Sequence, residues 1–219
     1  SAIEAKIVFI TTPNNPTGTT TSLEMISKIA TALASRKGLV VVDEAYGEFS
    51  KNPSAITLIK THPNVLVSKT MSKAFAFAGA RLGYLIADPK VIEALQLVRL
   101  PYHLSALTQA AAVAAISQQS SLKKDVERLQ DAREEVAREI NSMGLKSYPS
   151  EANFLLFSGF AQSSAKLWEE LLNRGVLVRD VGIPGHLRVT IGTRAENRAF
   201  LDALKQTVQI KVDHPEVRG

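Results

Sequence analysis

Ile7–Asp43 reads IVFITTPNNPTGTTTSLEMISKIATALASRKGLVVVD, and this stretch decides the fold. Ile7–Ile10 is apolar and mostly β-branched, which suits the pleated surface of a sheet. The run Thr11-Thr12-Pro13-Asn14-Asn15-Pro16-Thr17-Gly18 is a loop by its Pro, Asn and Gly content. Ser22 then precedes Leu23, Met25, Ile26, Ile29, Ala30 and Leu33, which recur as one face of a helix. Ser22 is placed to cap that helix, and Gly38 lies near its stop. Leu39–Val42 is a continuous apolar run ending at Asp43, the pattern of a strand buried on both faces. Strand, helix, strand at this spacing predicts a parallel sheet with right-handed crossovers.

Working outward, Val65–Val67 and Leu82–Ala87 predict two more strands of the same kind. The texture changes near Pro89, where Val91–Leu100, Ala106–Ser117 and Leu122–Asn141 are helical by period. After Gly144 the pattern predicts strand Asn153–Phe157, helix Ser164–Arg174, strands Val176–Val178 and Leu187–Ile191, and a helix from Glu196 to Thr207. The expected class is α/β: a mostly parallel sheet with flanking helices, a partial large domain, and a smaller C-terminal α+β domain. The boundaries expected are 1–120, 121–210 and a patternless tail over 211–219. Ile7–Ile10, read as a buried strand, calls for a neighbour on each side, yet little sequence precedes it. On that ground the chain reads as a fragment, a processed chain or an engineered piece.

Composition excludes several classes. With 219 residues, 45% hydrophobic and 21% charged, the chain can bury a sizeable core. No apolar run approaches the roughly 20 residues that span a bilayer, and no signal peptide is visible. Cysteine is absent, which removes disulfides and thiolate-bound metals and makes the cytoplasm the simplest compartment. The formal charge of +5 is scattered rather than gathered in runs, so nucleic acid is not an expected partner. His62, His103, His186 and His214 are dispersed without metal-ligand spacing, and no metal is expected. Neither GxGxxG nor GxxxxGK[ST] occurs, which disfavours nucleotide binding.

Four clusters carry chemistry: Pro13–Gly18; Asp43-Glu44-Ala45-Tyr46; Ser68–Phe75 followed by Gly79–Tyr84; and Leu187–Thr193. Asn15, Asp43 and Lys73 each follow a predicted strand, and ligands of open α/β sheets bind at the carboxyl ends of strands. A carboxylate, a lysine, hydroxyls and an arginine in one crevice are costly unless a ligand satisfies them. Pyridoxal phosphate would, since it needs a lysine for its aldehyde, an anion for its ring nitrogen, and an arginine with hydroxyls for its phosphate. Read singly, the same residues have plainer explanations. Asp43 could be a helix N-cap, Tyr46 and Phe75 core aromatics, and Lys73 a surface lysine. Lys69 competes with Lys73 for the reactive role, and the Thr-x-Ser-Lys context favours Lys73. Asp180 could be a structural partner of Arg179, and Arg188 could be an outward strand residue.

The ordered motifs PNNPTG, DEAY, SKTMSKAF-x4-GARLGY and LRVTIGT resemble those of the fold-type I pyridoxal-phosphate aminotransferases. The resemblance is nearest to the histidinol-phosphate aminotransferases and covers about residues 7–208. It implies that Lys73 forms the Schiff base with the cofactor and later shuttles the Cα proton. By the same resemblance Asp43 pairs with the pyridinium nitrogen, and Asn15 and Tyr46 donate to the phenolate oxygen. Thr70, Ser72 and Arg81 hold the phosphate, Arg188 takes the substrate carboxylate, Arg179 faces a substrate phosphate, and Asn153 contacts substrate. The implied activity is amino transfer between glutamate and imidazole-acetol phosphate in histidine biosynthesis, by a homodimer acting on small anionic substrates. Alternatives of the same fold are an aromatic amino-acid aminotransferase and a threonine-phosphate decarboxylase; an alternative of another class is a non-catalytic scaffold. Full-length members carry a long portion ahead of PNNPTG that is not in this sequence. The expectation is that another chain supplies it, or that this chain is a remnant.

Overall fold

A computed structural model of the chain describes residues 5–101 and 103–210. The chain divides into two compact units. One holds Thr19–Glu127 with the residues up to Asn15; the other runs on from Arg128 and takes in Pro16–Gly18. The tail expected over 211–219 lies outside the described residues.

The first unit is built on a sheet of four strands in chain order, β1 (Ile7–Thr11), β2 (Leu39–Asp43), β3 (Val65–Thr70) and β4 (Gly83–Ile86). Helix α1 (Leu23–Ala34) joins β1 to β2, which pair in parallel. The Ser22 hydroxyl caps it by accepting from Met25 N at 3.2 Å, as the sequence predicts. Its buried face, Ile26, Ala30 and Leu33, packs on Val40, Val42, Val65 and Val67. Burying an aliphatic side chain of this size contributes about 1.5–3 kcal/mol, so this layer fixes the helix on the sheet. Between β2 and β3, also parallel, the chain makes only short 3-10 turns at Gly47–Phe49 and Ala55–Leu58.

Two expectations for this sheet are corrected. Strand β4, read as another parallel strand, runs antiparallel to β3. The segment between them makes no helical crossover but folds back on itself, and Met71 N donates to Leu82 O at 3.1 Å. Strand β1 has β2 as its neighbour on one side and is the edge of the sheet, with Phe9 72% exposed, rather than a strand buried on both faces. Helices α2 (Pro89–Val98), α3 (Ala106–Ser117) and α4 (Gln119–Ser142) follow, and α4 runs from the first unit into the second.

The second unit contains β5 (Lys146–Ser147), β6 (Phe154–Ser158), α5 (Ser164–Leu172), β7 (Arg179–Asp180), β8 (His186–Thr190) and α6 (Arg194–Thr207). Its antiparallel sheet has the order β5-β6-β8-β7. Leu155, Phe157, Leu187 and Val189 form one core with Val136 and Ile140 of α4, Leu167 and Leu171 of α5, and Phe200 and Leu204 of α6. The strand expected at Val176–Val178 lies instead at Arg179–Asp180. Val176 is consumed in ending α5, where Gly175 takes φ +76° and Val176 N donates to Leu171 O. Among the described residues no helix is long and apolar enough to cross a membrane.

Candidate functional site

The parallel register fixes which residues share the carboxyl edge of the first sheet. Thr11 stands opposite Asp43, and Asp43 opposite Ser68, so the loops after β1, β2 and β3 leave from one end. That end carries Asn15, Asp43, Tyr46, Thr70, Ser72, Lys73 and, just ahead of β4, Arg81. Asn15 is exposed in a loop closed by Asn14 N donating to Thr19 O at 2.8 Å. Asp43 is no helix cap. Its Oδ1 accepts from Ala45 N at 3.1 Å and from the Ser68 hydroxyl at 3.3 Å, which aims the half-buried carboxylate along the edge.

Beyond β3 the chain makes a tight polar turn. The Thr70 hydroxyl accepts from Ser72 N at 3.1 Å and donates to the Ser72 hydroxyl at 3.0 Å. Lys73 follows, exposed, with its ammonium over the Tyr46 ring, 5.5 Å from the centroid. Ala76 (φ +52°) and Arg81 (φ +52°) are both left-handed, a conformation that costs a non-glycine residue about 1 kcal/mol or more. Backbone strain thus sits in the segment just after the exposed lysine turn, and such strain is found at functional sites. Phe75, by contrast, packs with Met71, Leu82 and Ala112 as a core aromatic.

Lys69 has a different environment from Lys73. Its ammonium is nearly buried between two carboxylates, 3.2 Å from Glu44 and 3.0 Å from Glu48. Burial pulls its pKa down, but the charges and hydrogen bonds of Glu48 and Glu44 outweigh that and hold it above the usual lysine range. An amine so held is protonated and already partnered, which makes it a poor nucleophile. The Tyr84 phenol, opposite Lys69 on β4, is raised by burial and by the negative charge of Glu48 and Glu44, with Lys69 opposing. This charge cluster was missed in the sequence, where Lys69 figures only as a rival to Lys73. The available signal was three acids flanking Tyr46 in Asp43–Glu48 with no basic residue beside them.

In the second unit, Arg179 and Arg188 stand directly opposite one another on β7 and β8. Opposed residues of an antiparallel pair point to the same face with their Cβ atoms about 5 Å apart. Two guanidinium groups so placed repel unless anions lie between or beside them. The Arg188 guanidinium also lies over the Phe154 ring, 4.7 Å from its centroid, so Phe154 is an orienting group that the sequence reading missed. Asp180 turns its Oδ1 to Gly182 N at 2.9 Å. Asn153 is half-buried, with its carbonyl accepting from Ile191 N at 2.9 Å. Among the described residues no cluster of His, Cys, Asp and Glu is arranged to hold a metal ion.

Comparison with known proteins agrees with this architecture. The chain is 51% identical over 212 residues to a histidinol-phosphate aminotransferase of Corynebacterium glutamicum, covering 96% of this chain and 57% of that protein. It is 54% identical over 198 residues to one of Mycolicibacterium smegmatis, covering 90% of this chain and 52% of that protein. The chain therefore spans a little over half the length of these curated relatives. Among solved structures, the histidinol-phosphate aminotransferase of Clostridium acetobutylicum matches with a TM-score of 0.86 at 26% identity, over 92% of this chain and 63% of that one. That of Sinorhizobium meliloti, solved in complex with pyridoxal-5'-phosphate, matches with a TM-score of 0.79 at 29% identity, over 93% of this chain and 57% of that one. The sequence model for aminotransferase class I and II matches residues 1–204, and the chain belongs to that family.

Proposed function

We propose that this chain carries the lysine-bearing part of a pyridoxal-phosphate-dependent histidinol-phosphate aminotransferase, with Lys73 as the residue that bonds the cofactor. The observation that carries the reading is the contrast between the two candidate lysines. Lys69 is locked between Glu44 and Glu48, whereas Lys73 is exposed at the strand ends beside Tyr46. The donor set at that edge fits the cofactor's chemistry: one carboxylate, one open amine, two hydroxyls in a tight turn, a guanidinium and an aromatic ring.

Bound pyridoxal phosphate supplies the electron sink that makes a substrate Cα proton removable. The residues do the rest. Asp43, its Oδ1 already fixed by Ala45 N and Ser68, offers a carboxylate to keep the ring nitrogen protonated. The Thr70 and Ser72 hydroxyls and the Arg81 guanidinium hold the phosphate, the guanidinium as a two-pronged donor. Asn15 and the Tyr46 hydroxyl donate to the phenolate oxygen. The Lys73 amine would be the base that takes the substrate Cα proton and gives it back. In the second unit Arg188, backed by Phe154, receives a substrate carboxylate, and Arg179 opposite it receives a side-chain phosphate.

On this reading the first unit serves the cofactor and the second the substrate, in a cytoplasmic homodimer exchanging an amino group between glutamate and imidazole-acetol phosphate. Borohydride reduction with pyridoxal phosphate, followed by peptide mapping against a Lys73→Ala control, tests the cofactor assignment. A pyridoxyl adduct confined to the Lys73 peptide is expected; label spread over surface lysines would overturn it. Arg179→Gln tests the substrate assignment. It should weaken a phosphorylated substrate far more than an aromatic keto acid, and equal losses would remove the phosphate argument.

A further inference from the structure

We propose that Lys69 is a positioning residue, clamping the Tyr46 loop to strand β3 through paired contacts with Glu44 and Glu48. The proposal rests on the cofactor reading above, because its purpose is to hold Tyr46 and Asp43 in place relative to Lys73.

The loop after β2 needs such a device. It contains no α-helix and keeps its shape with a few backbone bonds, Gly47 N to Glu44 O at 2.9 Å and Phe49 N to Tyr46 O at 3.1 Å. Tyr46 is at its centre, with Glu44 two residues before and Glu48 two residues after. Both carboxylates reach one ammonium on the neighbouring strand. Glu44 is anchored a second time, accepting from Ala55 N at 2.7 Å and from the Ser54 hydroxyl at 2.6 Å. Glu48 has no such second anchor: its Oε2 is buried with no hydrogen-bond partner among the described residues. Lys69 is therefore what keeps Glu48 inside.

Without the ammonium, two like charges face each other out of water. Glu48, the less anchored, swings out to solvent and carries the Tyr46–Phe49 turn with it. Lys69 itself touches no reacting group. It precedes Thr70 directly, on the strand whose end carries Ser72 and Lys73.

The test compares the unmodified chain with Lys69→Met and with Glu48→Gln, which keeps the Lys69–Glu44 pair and decides the matter if Lys69→Met does not fold. Amide hydrogen exchange over residues 44–50 is read against α1 as an internal reference. Half-saturation by pyridoxal phosphate and borohydride trapping on Lys73 are read alongside. For Lys69→Met, exchange over 44–50 should rise roughly tenfold with α1 unchanged, and half-saturation should rise about tenfold, the loss expected for a charge-assisted bond; Glu48→Gln should show smaller shifts of the same sign. Unchanged exchange over 44–50 overturns the clamp. Faster exchange with unchanged half-saturation and trapping overturns the positioning role. Should the unmodified chain trap no cofactor on Lys73, the cofactor reading has failed, while the exchange comparison still decides whether Lys69 holds the loop.

Discussion

The Lys73 ammonium lies over the Tyr46 ring, 5.5 Å from its centroid, so a residue from the loop after β2 meets one from the turn after β3. At an exposed site such a contact is worth about 0.5–1 kcal/mol, enough to bias where the lysine points but not to bury it. Tyr46→Phe, which keeps the ring but removes the hydroxyl proposed to donate to the phenolate oxygen, should lower pyridoxyl trapping on Lys73 less than Tyr46→Ala does. Tyr46→Ala should lower it several-fold, the factor that about 1 kcal/mol implies. Peptide mapping after borohydride reduction reads both. Full trapping in Tyr46→Ala would show that the ring does not orient the amine.

The glycine that ends PNNPTG makes a second claim that can be measured. Gly18 has φ +75°, and a Cβ there would stand 2.6 Å from the Ser150 Cβ and 2.9 Å from its Cα. Gly175 has almost the same φ, +76°, but its Cβ would meet open space. Both substitutions to Ala carry the left-handed cost of about 1 kcal/mol. Gly18→Ala should cost a further 1–3 kcal/mol or so through overpacking. Urea midpoints compare the two. Adding Ser150→Gly should recover only part of the extra loss, because the Cα approach persists and Ser150 also donates to Phe154 O. Equal midpoints for the two alanine variants would mean that Ser150 does not crowd Gly18.

Much of this was legible in the sequence, for identifiable reasons. Strand, cap and helix signals from Ile7 to Asp43 are local, and local signals survive folding: Ser22 caps α1 as its position predicts. The direction of β4 was not legible, because an apolar run looks the same running either way. What decides it is the return of Leu82 to Met71, a contact between segments. Arg179 and Arg188 were each visible as candidates, but their opposition depends on cross-strand register, which periodicity does not encode. The Lys69 cluster was hidden for the same reason. Its partners Glu44 and Glu48 lie more than 20 residues earlier, and only the parallel pairing of β2 with β3 brings them close.

Arg133 shows how a buried charge can serve packing. Only 2% exposed, it donates from Nη1 to Ala152 O at 2.8 Å and pairs through Nη2 with Glu134 at 3.2 Å. Its buried Nε has no hydrogen-bond partner among the described residues. Arg133→Ala orphans the Ala152 carbonyl and opens a cavity, for an expected loss of about 3–5 kcal/mol. Arg133→Met fills most of the volume and removes the partnerless donor, so it should cost only about 1–2 kcal/mol. Chemical denaturation of the two variants distinguishes them. If Met is as damaging as Ala, the hydrogen bond to Ala152 outweighs packing at this site.

The start of α6 sets a pH dependence whose direction is fixed by its geometry. Thr193 and Glu196 form a reciprocal capping box: the Thr193 hydroxyl accepts from Glu196 N at 3.3 Å, and Glu196 Oε2 accepts from Thr193 N at 2.7 Å. The backbone N–H of Thr193, and then its hydroxyl, hold the Glu196 carboxyl below the usual glutamate range. A carboxyl whose pKa is lower folded than unfolded binds fewer protons when folded. Its contribution to stability is complete above the unfolded value and fades as pH falls through the folded one. The stability gap between the unmodified chain and Glu196→Gln should therefore be constant at neutral pH and shrink on acidification. Thr193→Ala should cost about 1 kcal/mol at neutral pH as a lost N-cap. Urea midpoints measured across acid and neutral pH check both. A gap for Glu196→Gln that persists unchanged into acid would mean the carboxylate charge plays no part in holding the helix start, leaving the cap to Thr193 alone.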